Sequence, residues 1–309
     1  MRCLLLLLLW MPTSWLQAAE PLRIIMTVDW EGDDLRPENL EAMARLRREF
    51  PDVPLLHYMN AAYFTKPGVD RAAVRAQIQS VVRKKDQFGV HIHGWKSLFE
   101  AAGVTHRTKP SWARGGRPES VQDCRLDCGW EIPINAYTYD ELRKVLKTSR
   151  VLLKEQGFPG LQHFRAGGWV TSPDLLEALA AEGFRTDSSA VPVPFLASEL
   201  RGTELLSWLR SYWADITPQS QPYRVKTAEG LLWQVPNNAA LADYMTAEAT
   251  LKVVQDAWKR GQPYVIAGFH QETADDWYDR VSGFLRSLQK LTKEQKALIV
   301  FDIMPESFP

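Results

Sequence analysis

The chain has 309 residues, and its 37 lysines and arginines balance 37 aspartates and glutamates. A neutral chain has no electrostatic case for binding nucleic acid or an anionic membrane surface. About 290 residues beyond the N-terminal segment suit one large α/β domain or two small ones.

Residues 1–19 read as a secretory signal peptide. Arg2 is the positive end, six leucines follow Cys3, and Gln17-Ala18-Ala19 offers small residues for cleavage. The apolar run is too short to span a bilayer, and no later stretch approaches that length. The mature chain, 20–309, is expected to be one secreted or periplasmic domain without a membrane span. Two cysteines remain, Cys124 and Cys128, and in an oxidising compartment they can close a small loop as a disulfide.

Along the mature chain, strand-like and helix-like segments alternate. Residues 22–29 are a short apolar, β-branched run. Positions 37–50 carry Leu40, Met43, Leu46 and Phe50 at helical spacing. Strands are predicted over 54–59 and 88–93, with a helix over 69–84 between them. Residues 96–133 break the pattern with Pro110, Gly115, Gly116 and Pro118, and read as one long loop. A helix over 139–156 and a strand over 160–165 follow. Ser172-Pro173 starts the next helix, as N-cap and first-turn proline, and 185–188 reads as a strand end. Residues 191–236 read as irregular. A helix over 246–260, a strand over 264–269, a helix over 274–291 and a strand over 297–301 complete the chain. About seven strand–helix units predict an α/β fold, a distorted (β/α)7-type barrel with an irregular closure; a doubly wound open sheet is the alternative.

In such barrels chemistry collects at the C-terminal ends of the strands. The predicted ends carry Asp29 and Glu31, then His91 and His93, then Arg165, Asp187 and finally His270. Residues i and i+2 of a strand share a face, so His91 and His93 form a candidate pair of metal ligands, and Glu31 shares the face of Asp29. Ten of the twelve tryptophans lie beyond residue 19. Several fall in predicted loops, where indole faces suit the stacking of sugar rings.

Five ordered motifs resemble the polysaccharide deacetylases, the NodB-homology group or carbohydrate esterase family four. These are TVDWEG, GVHIHGW, FRAGGW, GFRTDSS and GFH, spanning Thr27 to His270. The resemblance implies a catalytic Asp29, an Arg165 that orients it, a general acid His270 with Asp187 tuning it, and a zinc-like divalent metal on Glu31, His91 and His93. The substrate would be a polysaccharide or oligosaccharide losing N-acetyl or O-acetyl groups. The chain departs from the family at two places. Trp30 stands where the second of two adjacent aspartates is usual, and the histidines lie two rather than four apart, with Trp95 in the more distant position. Two other readings stay open: a hydrolase of cyclic imides or other small amides on the same fold, and a glycan-binding protein without catalysis.

Overall fold

The structure, a computed structural model, describes residues 20–113, 127–295 and 298–308. The signal-peptide reading of residues 1–19 and the position of Cys124 lie outside the described residues. Cys128 is disulfide-bonded.

Nine strands lie in one sheet among the described residues. In chain order the elements are β1 (Leu22–Asp29), α1 (Pro37–Glu49), β2 (Leu55–Met59), α2 (Arg71–Gln79), β3 (Gln87–Ile92), α3 (Lys96–Ala101) and α4 (Tyr139–Glu155). Then come β4 (His163–Ala166), α5 (Pro173–Ala181), β5 (Thr186–Asp187), α6 (Val193–Leu196), α7 (Glu204–Tyr212), β6 (Tyr223–Thr227) and β7 (Gly230–Gln234). The last are α8 (Ala247–Lys259), β8 (Tyr264–His270), α9 (Tyr278–Gln295) and β9 (Ile299–Phe301). The helix starts follow from capping chemistry: Thr138 and Glu141 form a capping box on α4, and Ser172 caps α5 ahead of Pro173.

The sheet order is β6-β7-β5-β4-β3-β2-β1-β8, with β9 beside the start of β1. Seven strands, β8, β1, β2, β3, β4, β5 and β7, pair in parallel. They are the staves of the distorted (β/α)7-type barrel the alternation predicts. The two ends of this curled sheet are joined by the chain that leaves β7. Val235 and Asn237 donate to the carbonyls of Asp187 and Ala190, and Ala239 and Ala242 then donate to Ile266 and Gly268 on β8. The Asn238 side chain does the work of a missing backbone rung, since its Oδ1 accepts from Ile266 N at 2.9 Å and its Nδ2 donates to Tyr264 O. We call 235–242 the seam.

The structure differs from the sequence reading in two stretches. The long loop contains α3, a helix of under two turns whose pattern is too short to show a period. The irregular stretch 191–236 contains α6, α7 and the antiparallel β6–β7 hairpin. The outer strand β6 is mostly exposed, so it lacks the apolar signature of a buried stave.

Strand alternation divides the interior. At the N-terminal end of the barrel, Ile25, Leu56, Tyr58, Val235, Tyr264 and Ile266 fill it, and the C-terminal tail closes it with Met304 and Phe308. Gly89 makes room there, because a Cβ at this position would lie 2.8 Å from the Tyr58 ring and from His163 O. The larger core, between sheet and helices, takes the other faces, including Ile24, Met26 and Val28. No described helix is long and apolar enough to cross a membrane.

His163 sits in this interior, its Nδ1 3.0 Å from Thr186 Oγ1. Burial, reinforced by Arg185, pushes its pKa down to about 4. Below the ordinary value of 6.5 the unfolded chain takes up a proton that the folded chain refuses, so this histidine costs stability as pH falls from 6.5 to about 4. The melting temperature of the parent protein is expected to fall more steeply over that interval than that of His163→Gln. Parallel curves in thermal melts across the interval would show that His163 is not buried neutral.

Candidate active site

β1 ends at Asp29, β3 at Ile92 and β8 at His270, and the chain just beyond them lines a cleft of about 580 Å³. The register aligns Asp29 with Tyr58 on one side and with His270 on the other. The same parity turns His91 and Arg165 to the interior.

Glu31 lies at the centre. Its Oε1 is 3.1 Å from His91 Nε2 and 3.5 Å from His270 Nε2, and its Oε2 is 2.6 Å from His93 Nε2. The Nδ1 atoms of His91 and His93 lie 2.9 Å and 2.8 Å from the carbonyls of Arg165 and Trp130. A carbonyl only accepts, so both Nδ1 atoms carry a hydrogen, and in the neutral rings both Nε2 lone pairs are free. His93 Nε2 is buried without a partner in hydrogen-bond geometry, despite its short approach to Glu31. One ligand atom from each of Glu31, His91 and His93 falls within 4.8 Å of the others. Two imidazoles and a carboxylate converging on one point, with the Arg165 and Trp130 carbonyls fixing both tautomers, form a donor set that fits zinc or a similar divalent ion. Burial alone would raise the Glu31 carboxyl, but His93, His270 and His91 hold it well below the usual carboxylate range. Burial likewise opposes charge on His93, and Glu31 more than offsets it, so the imidazolium is raised.

Asp29 is almost wholly buried and receives Arg165 Nη1 at 2.7 Å. The same guanidinium donates to Thr27 Oγ1, Ser188 O and Ser188 Oγ, and lies over the Tyr58 ring at 4.4 Å. The pairing fixes the carboxylate in one orientation.

The structure corrects the reading of Asp187. It pairs in register with Phe164 and Gln234, on the sheet face opposite to that of Arg165, and it does not approach His270. Its Oδ1 accepts from the Ser189 N–H and hydroxyl, which ties down the turn after β5. Burial pushes its pKa up to about 6. The residue beside His270 is Asp243, at the end of the seam, whose Oδ2 lies 3.0 Å from His270 Nδ1. Burial disfavours the imidazolium, but Asp243 and then Glu31 raise its pKa to about 10. Asp243 is held in turn by Thr273 Oγ1 at 2.5 Å. Glu272 also went unread, although it follows His270 at the i+2 spacing that identified Glu31. It accepts from the Glu31 backbone N–H at 3.0 Å and from the Tyr63 hydroxyl. Burial, with Glu31 nearby, pushes its pKa up to about 8.

Aromatic rings flank both halves of the site. Trp112 and Trp130 sit edge-on or tilted to His93, with ring centroids 5.9 and 6.2 Å away. Trp169 and Tyr244 stand beside His270. Trp169 holds a left-handed backbone with φ 52°, a conformation that costs on the order of 1–2 kcal/mol outside glycine.

No family model matches the sequence, and no curated protein matches it. Solved structures superpose loosely over most of the chain. A protein provisionally assigned as a polysaccharide deacetylase, from Mycobacterium smegmatis, is 12% identical with a TM-score of 0.45, covering 96% of this chain and 97% of its own. A family 4 carbohydrate esterase from Streptomyces lividans is 10% identical with a TM-score of 0.43, covering 93% and 94%. A 4-alpha-glucanotransferase from Thermococcus litoralis is 10% identical with a TM-score of 0.49, covering 92% of this chain but 39% of its own. At this degree of superposition the likeness does not decide the chemistry, which rests on the side chains themselves.

If Asp243 holds the His270 imidazolium, Asp243→Asn removes the charge that stabilises it. In the metal-free protein, the His270 ring is expected to titrate well below about 10 in that variant. NMR titration of the histidine rings reads this directly, and an unchanged value would show that Asp243 does not set it.

Proposed function

We propose that the protein is a divergent polysaccharide deacetylase, a secreted or periplasmic, metal-dependent hydrolase that removes N-acetyl or O-acetyl groups from a glycan. One observation carries this reading. A Glu–His–His donor set lies in a cleft between a carboxylate fixed by arginine and an imidazolium fixed by aspartate. That is the equipment for attacking an acyl carbonyl and protonating its leaving group.

Glu31, His91 and His93 would hold the metal. When bound, a divalent ion there supplies Lewis-acid polarisation of the acyl oxygen and eases deprotonation of a water. Asp29 acts as general base on the attacking water, and Arg165 keeps it aimed. His270 presents Nε2 toward the cluster while Nδ1 stays with Asp243, so Nε2–H is the proton delivered to the departing amine or hydroxyl. Sugar rings find stacking surfaces in the walls, above all on Trp130, which is 44% exposed. The leader-like residues 1–19 support delivery outside the cytoplasm.

Incubation with acetylated oligosaccharides, with zinc, with cobalt and with chelator, tests the reading through acetate release. Release is expected with metal and not with chelator. His270→Ala is expected to lose about 10²–10⁴-fold in kcat, the usual worth of a positioned acid. Absence of release with every metal, together with unchanged sugar affinity in Asp29→Asn, would instead make this a glycan-binding protein.

A further inference from the structure

Glu31 stands two residues past the end of β1, beyond the last rung that the sheet supplies, from Trp30 N to Tyr58 O. Its backbone is held by side chains instead. The N–H donates to Glu272 Oε1 at 3.0 Å, and the carbonyl accepts from Asn60 Nδ2 at 2.8 Å and Trp95 Nε1 at 2.7 Å. Asn60 and Trp95 are buried, and they come from two different segments, after β2 and after β3. Gly32 has φ +86°, and a Cβ there would lie 2.7 Å from Asn60 Cγ and 2.9 Å from Trp95 Nε1. The close approach of both donors therefore depends on glycine at 32.

Trp95 follows the ligand His93 by two residues, so its indole ties the segment carrying the imidazoles to the peptide carrying the carboxylate. We propose that Trp95 and Asn60 are positioning residues for Glu31 that set the affinity and geometry of the metal centre. The inference rests on the reading of Glu31, His91 and His93 as ligands. A carboxylate on an unanchored peptide drifts relative to two imidazoles fixed on β3 and its extension, and a shift of about 0.5 Å is enough to spoil the ligand geometry. With both lone pairs of the Glu31 carbonyl occupied, the peptide plane is fixed, and the remaining freedom lies in the side chain that reaches His91 and His93.

Titration of the full mature protein with cobalt(II), followed by its d–d absorption, tests this without reference to turnover. Trp95→Phe keeps the ring and loses the donor. Asn60→Asp keeps the acceptor that caps Ala62 and loses the Nδ2 donor. Each is expected to weaken cobalt binding about 10–100-fold, as loss of an outer-shell partner does, and to shift the absorption bands. The melting temperature of the metal-free variants should move by only a few degrees. His93→Ala, which removes a ligand, marks complete loss. If the parent binds cobalt and His93→Ala does not, but both variants match the parent in affinity and spectrum, the positioning role is overturned and the ligand assignment stands. If the parent itself binds no cobalt, the ligand assignment fails and the inference falls with it.

Discussion

A buried guanidinium spans the barrel. Arg165 rises from β4 and reaches Asp29 and Thr27 on β1, three staves further round, with the Tyr58 ring of β2 beneath it. Ser188, after β5, takes two more of its hydrogens. The strut separates two chemistries inside one sheet, an apolar plug toward the N-terminal ends of the strands and a polar cleft toward the C-terminal ends. A charge this deep is tolerated because each of these bonds is made. Removal of one partner from such a pair typically costs about 3–5 kcal/mol. Fold and candidate chemistry share that cost, since the carboxylate that neutralises the arginine is also the proposed base.

Most of the site was legible because it lies on regular strands. Period-two alternation is enough to turn His91 and His93 to one side and to set Glu31 on the face of Asp29. The rule that rim residues gather at strand ends adds Arg165 and His270. Asp187 misled for the same reason. It too stands at a strand end, but β5 is only two residues long and the parity of its pairing turns Asp187 away from the cleft. Asp243 was not legible, because the seam that delivers it has no period. Its path is set by rungs from β5 and β8 and by the Asn238 amide, all of them long-range contacts.

The two tryptophans at which the chain departs from the resemblance are both buried donors. Trp30 donates its indole N–H to His57 Nδ1, and His57 in turn approaches Asp86, itself paired with Arg47. Trp95 donates to the Glu31 carbonyl. Where the resemblance would place two metal ligands, this chain has two buried indole donors, one on the His57 side chain and one on the backbone of Glu31.

The seam carries a consequence of its own. The donor set hangs from β1 and β3, whereas the partner of His270 arrives on a wall that is not a strand. Changes in the length or sequence of 235–242 can therefore alter the setting of His270 while leaving Glu31, His91 and His93 in place. Irregular closure makes the barrel separable, with one part of the rim able to change while the other keeps its donor set.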